Sequence, residues 1–113
     1  MCIRDRHEIA SAEYAVKYLK VKSLIIMGHQ NCGAVTAATQ DSSLTPHLDQ
    51  LVEKIHTEDG HSLDENIVAN AKYQANTILK ESQSIRQAYE QNELIISYAY
   101  YSIKTNEVTF HNL

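Results

Sequence analysis

The sequence predicts an α/β fold with a small, mainly parallel β-sheet flanked by helices. The first observation is a continuous apolar run at residues 24–27, which is typical of a strand that is buried on both faces in a parallel sheet. Amphipathic helical patterns precede and follow this run, and a second apolar strand pattern begins at residues 94–96. Apolar residues make up 43% of the chain and it contains one proline, which favours a folded, helix-rich globule over disorder.

Length and charge exclude several classes of protein. A chain of 113 residues is long enough for one domain and one modest core, so we treat residues 1–113 as a single domain. Ten Lys and Arg residues against fourteen Asp and Glu residues give a net charge of −4, and this balance argues against nucleic acid as a partner. No apolar run approaches the roughly 18 residues of a membrane span. We therefore expect a soluble protein, in the cytoplasm or exported.

The first predicted element is a helix over residues 9–19. Its apolar residues recur every three or four positions, at Ile9, Ala12, Ala15, Val16 and Leu19. Residues 1–6 precede this periodicity and have neither a signal-peptide pattern nor a strand pattern. We therefore expect that residues 1–6 are not native to the fold and that the domain is partial.

The strand at residues 24–27 is followed by Gly28 and then by a polar turn from His29 to Cys32. Small, helix-compatible residues from Gly33 onward predict a helix that is packed closely on the strand. The turn therefore lies at the carboxyl end of a strand, where α/β folds place their ligands.

Further helices and a second strand follow. Pro46 predicts the first turn of a helix, and Gly60 predicts the end of that unit. We expect the buried stripe of this helix to consist of Leu48, Leu51, Val52 and Ile55. Residues 63–89 predict one long helix, or two with a bend, and a strand starts at Leu94. A turn around Asn106 then returns residues 108–111 as a paired strand.

The polar turn carries two side chains that suit a metal ion. Thiolate sulfur and imidazole nitrogen are preferred zinc ligands, and the spacing of His29 and Cys32 can bring both to one tetrahedral ion. A zinc site needs at least three protein ligands, so this pair alone leaves a second interpretation open. In that interpretation Cys32 is a buried thiol and His29 a capping imidazole.

Several motifs in order make the chain resemble the β-class carbonic anhydrases. These motifs are Ser11-Ala12-Glu13-Tyr14-Ala15-Val16, Gly28-His29-Gln30-Asn31-Cys32-Gly33-Ala34, Glu65-Asn66-Ile67 and Tyr101-Ser102-Ile103-Lys104-Thr105-Asn106-Glu107-Val108. Ser102 and Asn106 stand where the family usually has Asp and Gly. The resemblance implies a β-carbonic-anhydrase-like fold, Zn²⁺ as cofactor and a homodimer or higher homo-oligomer. It also implies that zinc-bound hydroxide hydrates carbon dioxide reversibly to bicarbonate.

In that family a Cys, a His and a second Cys hold the zinc, and the matching positions here are His29 and Cys32. The other cysteine belongs to an upstream Cys-x-Asp-Ser-Arg segment that this sequence lacks, and Cys2 is not in its register. The Asp–Arg pair of that segment is also missing, so we assign no catalytic residue beyond the two zinc ligands. We expect that the chain is the C-terminal part of a longer enzyme and that it is inactive alone.

The residues that shape the proposed site are Gly28, Gly33 and Ala34. Gly33 is expected to let the backbone approach closely, and the helix that follows is expected to favour the Cys32 thiolate through its dipole.

Two other functions remain open. A catalytically inactive member of the family could bind a protein partner or hold a metal weakly. The lack of a third zinc ligand would distinguish such a protein from the enzyme. Cys32 could also be a redox-sensing thiol, although no resolving cysteine is adjacent.

Away from the turn, we interpret His47, His56 and His61 as part of a solvated face. We interpret Tyr98, Tyr100 and Tyr101 as cross-strand or subunit contacts.

Overall fold

The computed structural model describes residues 6–40 and 44–113. This part of the chain confirms the α/β class, with a three-stranded sheet and helices between its strands. The elements are α1 (Arg6–Lys17), β1 (Ser23–His29), α2 (Gly33–Ala38), α3 (Pro46–Glu53), α4 (Leu63–Glu81), α5 (Gln83–Glu90), β2 (Ile95–Ser102) and β3 (Glu107–Asn112). Of the segment that we expect to be foreign to the fold, residues 1–5 lie outside the described residues.

The sheet has the strand order β1-β2-β3. β1 and β2 are parallel, with Ser23 opposite Ile95 at one end and His29 opposite Tyr101 at the other. β3 returns antiparallel to β2. The turn between them contains Asn106 with φ 57°, so the predicted left-handed Asn and the predicted return strand are confirmed.

Helix α4 provides much of the core beneath the sheet. Its buried apolar residues pack with residues of α1, α5 and the two parallel strands. The buried members of this cluster are Val16, Ile26, Ala71, Ala75, Ile78, Ile85, Leu94 and Ile96. Ile25, which points to the opposite face of β1 from Ile26, is 43% exposed. The prediction that this strand is buried on both faces is therefore wrong for the described residues. An apolar run shows that residues are hydrophobic, but not which elements pack on each face of the strand.

The predicted helix over residues 9–19 is observed at Arg6–Lys17. The long predicted helix is two helices, and Ser82 separates them with an extended backbone (φ −111°, ψ 110°). The Oγ of Ser82 accepts a hydrogen bond from the backbone N–H of Ile85 at 3.4 Å, which caps the second helix. The bend that the sequence allowed is therefore an N-cap, and Ser82 itself is 1% exposed.

Pro46 opens α3 as predicted, but the stripe expected to be buried on it is buried only in part. Leu48 and Leu51 are 46% and 39% exposed. Val52 is partly buried against the neighbouring core, and Ile55, just beyond the helix, is buried. The helical spacing is correct, but only the end of the stripe near Ile55 is buried in the core.

Among the described helices, none is long and apolar enough to cross a membrane.

Candidate metal centre

The polar turn lies at the carboxyl end of β1, as the sequence predicts. The parallel ladder extends one residue past His29, because the backbone N–H of Gln30 donates to the carbonyl of Tyr101 at 2.8 Å. Asn31 then adopts a left-handed conformation with φ 59°, and α2 begins at Gly33. The turn is therefore fixed at one end by a sheet and at the other by a helix.

His29 is exposed at the end of β1. Its Nδ1 lies 3.0 Å from the backbone carbonyl oxygen of Gln30. A carbonyl can only accept a hydrogen bond, so this contact assigns the proton of a neutral ring to Nδ1. The lone pair then resides on Nε2, so this tautomer can bind a metal ion through Nε2.

Cys32 is the N-cap residue of α2 and is 7% exposed. Its carbonyl oxygen accepts hydrogen bonds from Thr36, through the backbone N–H at 3.0 Å and through Oγ at 2.9 Å. The side chain belongs to a buried cluster with Val35, Ile55 and Ile67. The sulfur is thus placed by a helix start and by apolar packing.

The three predicted site-shaping residues behave differently. A Cβ added to Gly28 would lie 2.7 Å from Cγ2 of Ile67, so the close approach of backbone occurs at Gly28. A Cβ added to Gly33 would meet no described atom within 4 Å, so the role expected of Gly33 stays a prediction. Ala34 is partly buried against the cluster that contains Cys32.

Gln30 is a residue of this turn to which sequence reasoning assigned no role. Its Oε1 accepts hydrogen bonds from the backbone N–H of Lys104 at 2.9 Å and from the hydroxyl of Ser102 at 3.3 Å. The side chain thus joins the turn after β1 to the turn between β2 and β3. No local pattern in the sequence signals this contact, because the partners are 74 and 72 positions away.

The tyrosines of β2 have structural partners. Tyr100 packs partly against the cluster of Cys32, and its hydroxyl donates to Oδ1 of Asp64 at 2.8 Å. Loss of hydration and the Asp64 carboxylate raise the pKa of Tyr100 above its ordinary value.

Tyr98 stacks on His111 of β3 with ring centroids 5.0 Å apart, which confirms cross-strand packing for this residue. Tyr101 donates to Oδ1 of Asn106 at 2.8 Å.

A second group of titratable side chains precedes α4. The Oε1 and Oε2 atoms of Glu58 each lie 3.2 Å from a histidine nitrogen, Nε2 of His56 and Nδ1 of His61 respectively. The ring of His56 also stacks on Tyr73 at 4.6 Å. His47 is exposed on α3.

The donor chemistry of His29 and Cys32 suits zinc, because both ligand types are those that zinc prefers. Within residues 6–40 and 44–113, no group of three His, Cys, Asp or Glu side chains is arranged to hold a metal ion. A zinc ion at this turn therefore requires a third protein ligand from outside the described residues.

Comparison with known proteins identifies the family. A family model described as carbonic anhydrase matches residues 1–108. A carbonic anhydrase of Emericella nidulans is 30% identical over an alignment of 100 residues, which covers 78% of this chain and 43% of that protein.

Solved structures show the same fold. A tetrameric β-carbonic anhydrase of Sordaria macrospora superposes with a TM-score of 0.73 at 22% identity, over 95% of this chain and 60% of that one. A Coccomyxa β-carbonic anhydrase in complex with acetazolamide gives a TM-score of 0.76 at 21% identity, over 96% and 55% of the two chains. The chain thus spans less than two thirds of the length of these relatives. The solved structures share the fold, and the family model over residues 1–108 shows that the chain belongs to the β-carbonic anhydrase family.

Proposed function

We propose that this chain carries the zinc-binding turn of a carbon dioxide hydratase, with His29 and Cys32 as two of three protein ligands. The observation that carries the proposal is the hydrogen bond from His29 Nδ1 to the Gln30 carbonyl, which leaves Nε2 as the metal-binding atom. When bound, zinc supplies the Lewis acidity that lets water attack carbon dioxide at neutral pH.

The protein around the turn contributes position and an apolar boundary. His29 extends from the end of a strand whose last residue is paired in the sheet, and Cys32 starts a helix. Both ligands are therefore held by regular elements rather than by a free loop. The apolar residues that pack around Cys32 also suit a substrate that is a small uncharged gas.

We also propose that the protein functions as a homo-oligomer. The Sordaria macrospora relative is tetrameric, and this chain exposes large apolar side chains on its surface. Among them, Ile95 is 63%, Phe110 58% and Ile25 43% exposed. In the strand registers these three side chains lie on one face of the sheet. An apolar face of this kind is typical of a surface that is covered in the assembled protein.

The alternative function is a family member without activity that binds a partner or holds a metal weakly. The observation in its favour is that no group of three His, Cys, Asp or Glu side chains among the described residues is arranged to hold an ion. A redox sensor at Cys32 is less well supported, because a sensing thiol must be accessible and this one is 7% exposed.

Zinc content tests the proposal. The protein that carries this chain is purified without added metal, and its zinc is measured by mass spectrometry. We expect His29→Ala and Cys32→Ser each to lose the ion, because the remaining ligands cannot hold it tightly. His47→Ala, at an exposed histidine of α3, and Cys2→Ser, outside the described residues, serve as controls and are expected to keep it.

Carbon dioxide hydration, followed by stopped-flow indicator measurements, is expected to disappear in the same two variants that lose zinc. We expect the 113-residue chain by itself to be inactive. Wild-type protein without zinc would favour the alternative function, and zinc retained in either ligand variant would refute the ligand assignment.

A further inference from the structure

We infer that Gln30 is a positioning residue for His29, and this inference rests on the proposed function of that histidine as a ligand. Gln30 is the residue whose backbone and side chain connect the imidazole to the rest of the sheet. The argument depends on three sets of hydrogen bonds, which involve its carbonyl, its N–H and its side-chain oxygen.

The carbonyl of Gln30 accepts the hydrogen bond from Nδ1 of His29 at 3.0 Å. The ring is exposed, so burial does not restrict its rotation. The orientation of the ring, and the tautomer that leaves Nε2 free, therefore depend on where this carbonyl points.

The direction of the carbonyl depends in turn on how the backbone on both sides of the Gln30 Cα is held. On one side, its N–H extends the parallel ladder to Tyr101 at 2.8 Å. On the other side, the next residue, Asn31, is left-handed with φ 59°, so the chain turns sharply away from the sheet. The carbonyl belongs to the peptide group between Gln30 and Asn31, and this group needs a further anchor to keep it from rotating.

The side chain of Gln30 supplies that anchor. Its Oε1 accepts from the N–H of Lys104 at 2.9 Å and from the hydroxyl of Ser102 at 3.3 Å. The turn that offers these donors is itself closed, since the N–H of Asn106 donates to the carbonyl of Ser102 at 2.8 Å. Gln30 thus transmits the geometry of the β2–β3 turn to the imidazole of His29.

The test compares Gln30→Met, which keeps the length of the side chain but has no acceptor oxygen, with Gln30→Glu, which keeps the acceptor. The readout is the nitrogen NMR spectrum of His29 in metal-free protein, at a pH where the ring is neutral. The wild type is expected to show the Nδ1–H tautomer. We expect Gln30→Met to give a mixture of tautomers and Gln30→Glu to restore the wild-type pattern.

Zinc affinity gives a second readout in the protein that carries this chain. We expect Gln30→Met to weaken it about 10- to 100-fold, the usual effect of losing a group that orients a ligand. Gln87→Met, at an exposed glutamine of α5, is expected to change neither readout. Unchanged circular dichroism in all variants excludes unfolding as the cause.

The two proposals fail in different ways. A Gln30→Met protein with the wild-type tautomer would overturn the positioning role whether or not zinc binds. Wild-type protein that binds no zinc would overturn the ligand assignment of His29, and the tautomer measurement would still decide whether Gln30 positions the ring.

Discussion

Gly28 of β1 lies directly against Ile67 of α4, and a Cβ on Gly28 would come within 2.7 Å of Cγ2 and 3.3 Å of the carbonyl oxygen of Ile67. The methyl group is attached at the branched Cβ of a helical residue, whose χ1 is strongly restricted. The strand that ends at His29 can therefore approach α4 this closely only with glycine at position 28.

Gly28→Ala is expected to lower the free energy of unfolding by about 1–3 kcal/mol, because the added methyl group forces strand and helix apart. Urea unfolding measures this change. Gly33→Ala is the matched control, since its Cβ would meet no described atom within 4 Å. We expect the control to change stability by less than about 1 kcal/mol. Equal effects at the two glycines would contradict the packing argument.

Asn70→Ala is expected to lower the free energy of unfolding by about 1–3 kcal/mol, because it leaves buried donors without their acceptor. Asn70 is 1% exposed, and its Oδ1 accepts from the N–H of His56 at 3.0 Å and from Nε2 of Gln74 at 3.1 Å. Asn76→Ala, at an exposed asparagine of the same helix, is expected to change stability by less than about 0.5 kcal/mol. Thermal unfolding of both variants checks the prediction, and a similar loss for Asn76→Ala would argue against it.

Glu13→Ala is expected to loosen the contact between α1 and the start of α5. One carboxylate oxygen of Glu13 accepts from the hydroxyls of Ser82 at 2.6 Å and Ser84 at 3.3 Å. Because Ser82 is buried, we expect a loss of about 1–3 kcal/mol in unfolding free energy, and a smaller loss for Glu13→Gln, which keeps an acceptor. Chemical denaturation of these variants beside Glu8→Ala, an exposed residue of the same helix, measures the effect. The idea fails if Glu8→Ala costs as much.

Glu65→Gln is expected to lower stability more near neutral pH than in acid. Hydrogen bonds from the backbone N–H and the side chain of Ser62 hold the pKa of Glu65 below its ordinary value of 4.5. A lowered pKa in the folded state stabilises the protein above the unfolded value, and this contribution is lost as the pH falls through the folded value.

Unfolding of wild type and Glu65→Gln at neutral pH and at about pH 3 tests this sign. We expect the difference between them to shrink in acid, because it is lost as the pH falls through the lowered pKa of Glu65. In a Ser62→Ala background the difference is expected to shrink without vanishing, since the backbone N–H of residue 62 remains. A difference that is the same at both pH values would show that the carboxylate charge contributes nothing.

Much of the fold could be predicted from local patterns. The helical spacing, the apolar runs and the capping residues are properties of neighbouring positions, and they predicted the type and order of the elements that the structure describes. The errors concern which apolar side chains other elements cover. Ile25, Leu48 and Leu51 fit buried patterns but are 43%, 46% and 39% exposed, because burial depends on what packs against an element.

Local sequence is enough to place His29 and Cys32 on one turn after a strand and before a helix, because strand, turn and helix are contiguous. What holds that turn in place depends on how distant elements pack. The contact of Gly28 with Ile67 and that of Gln30 with Lys104 require a particular docking of α4 and a particular register of β2. Residues 74 positions apart meet only after the sheet has formed, and no local propensity specifies which of them will be neighbours.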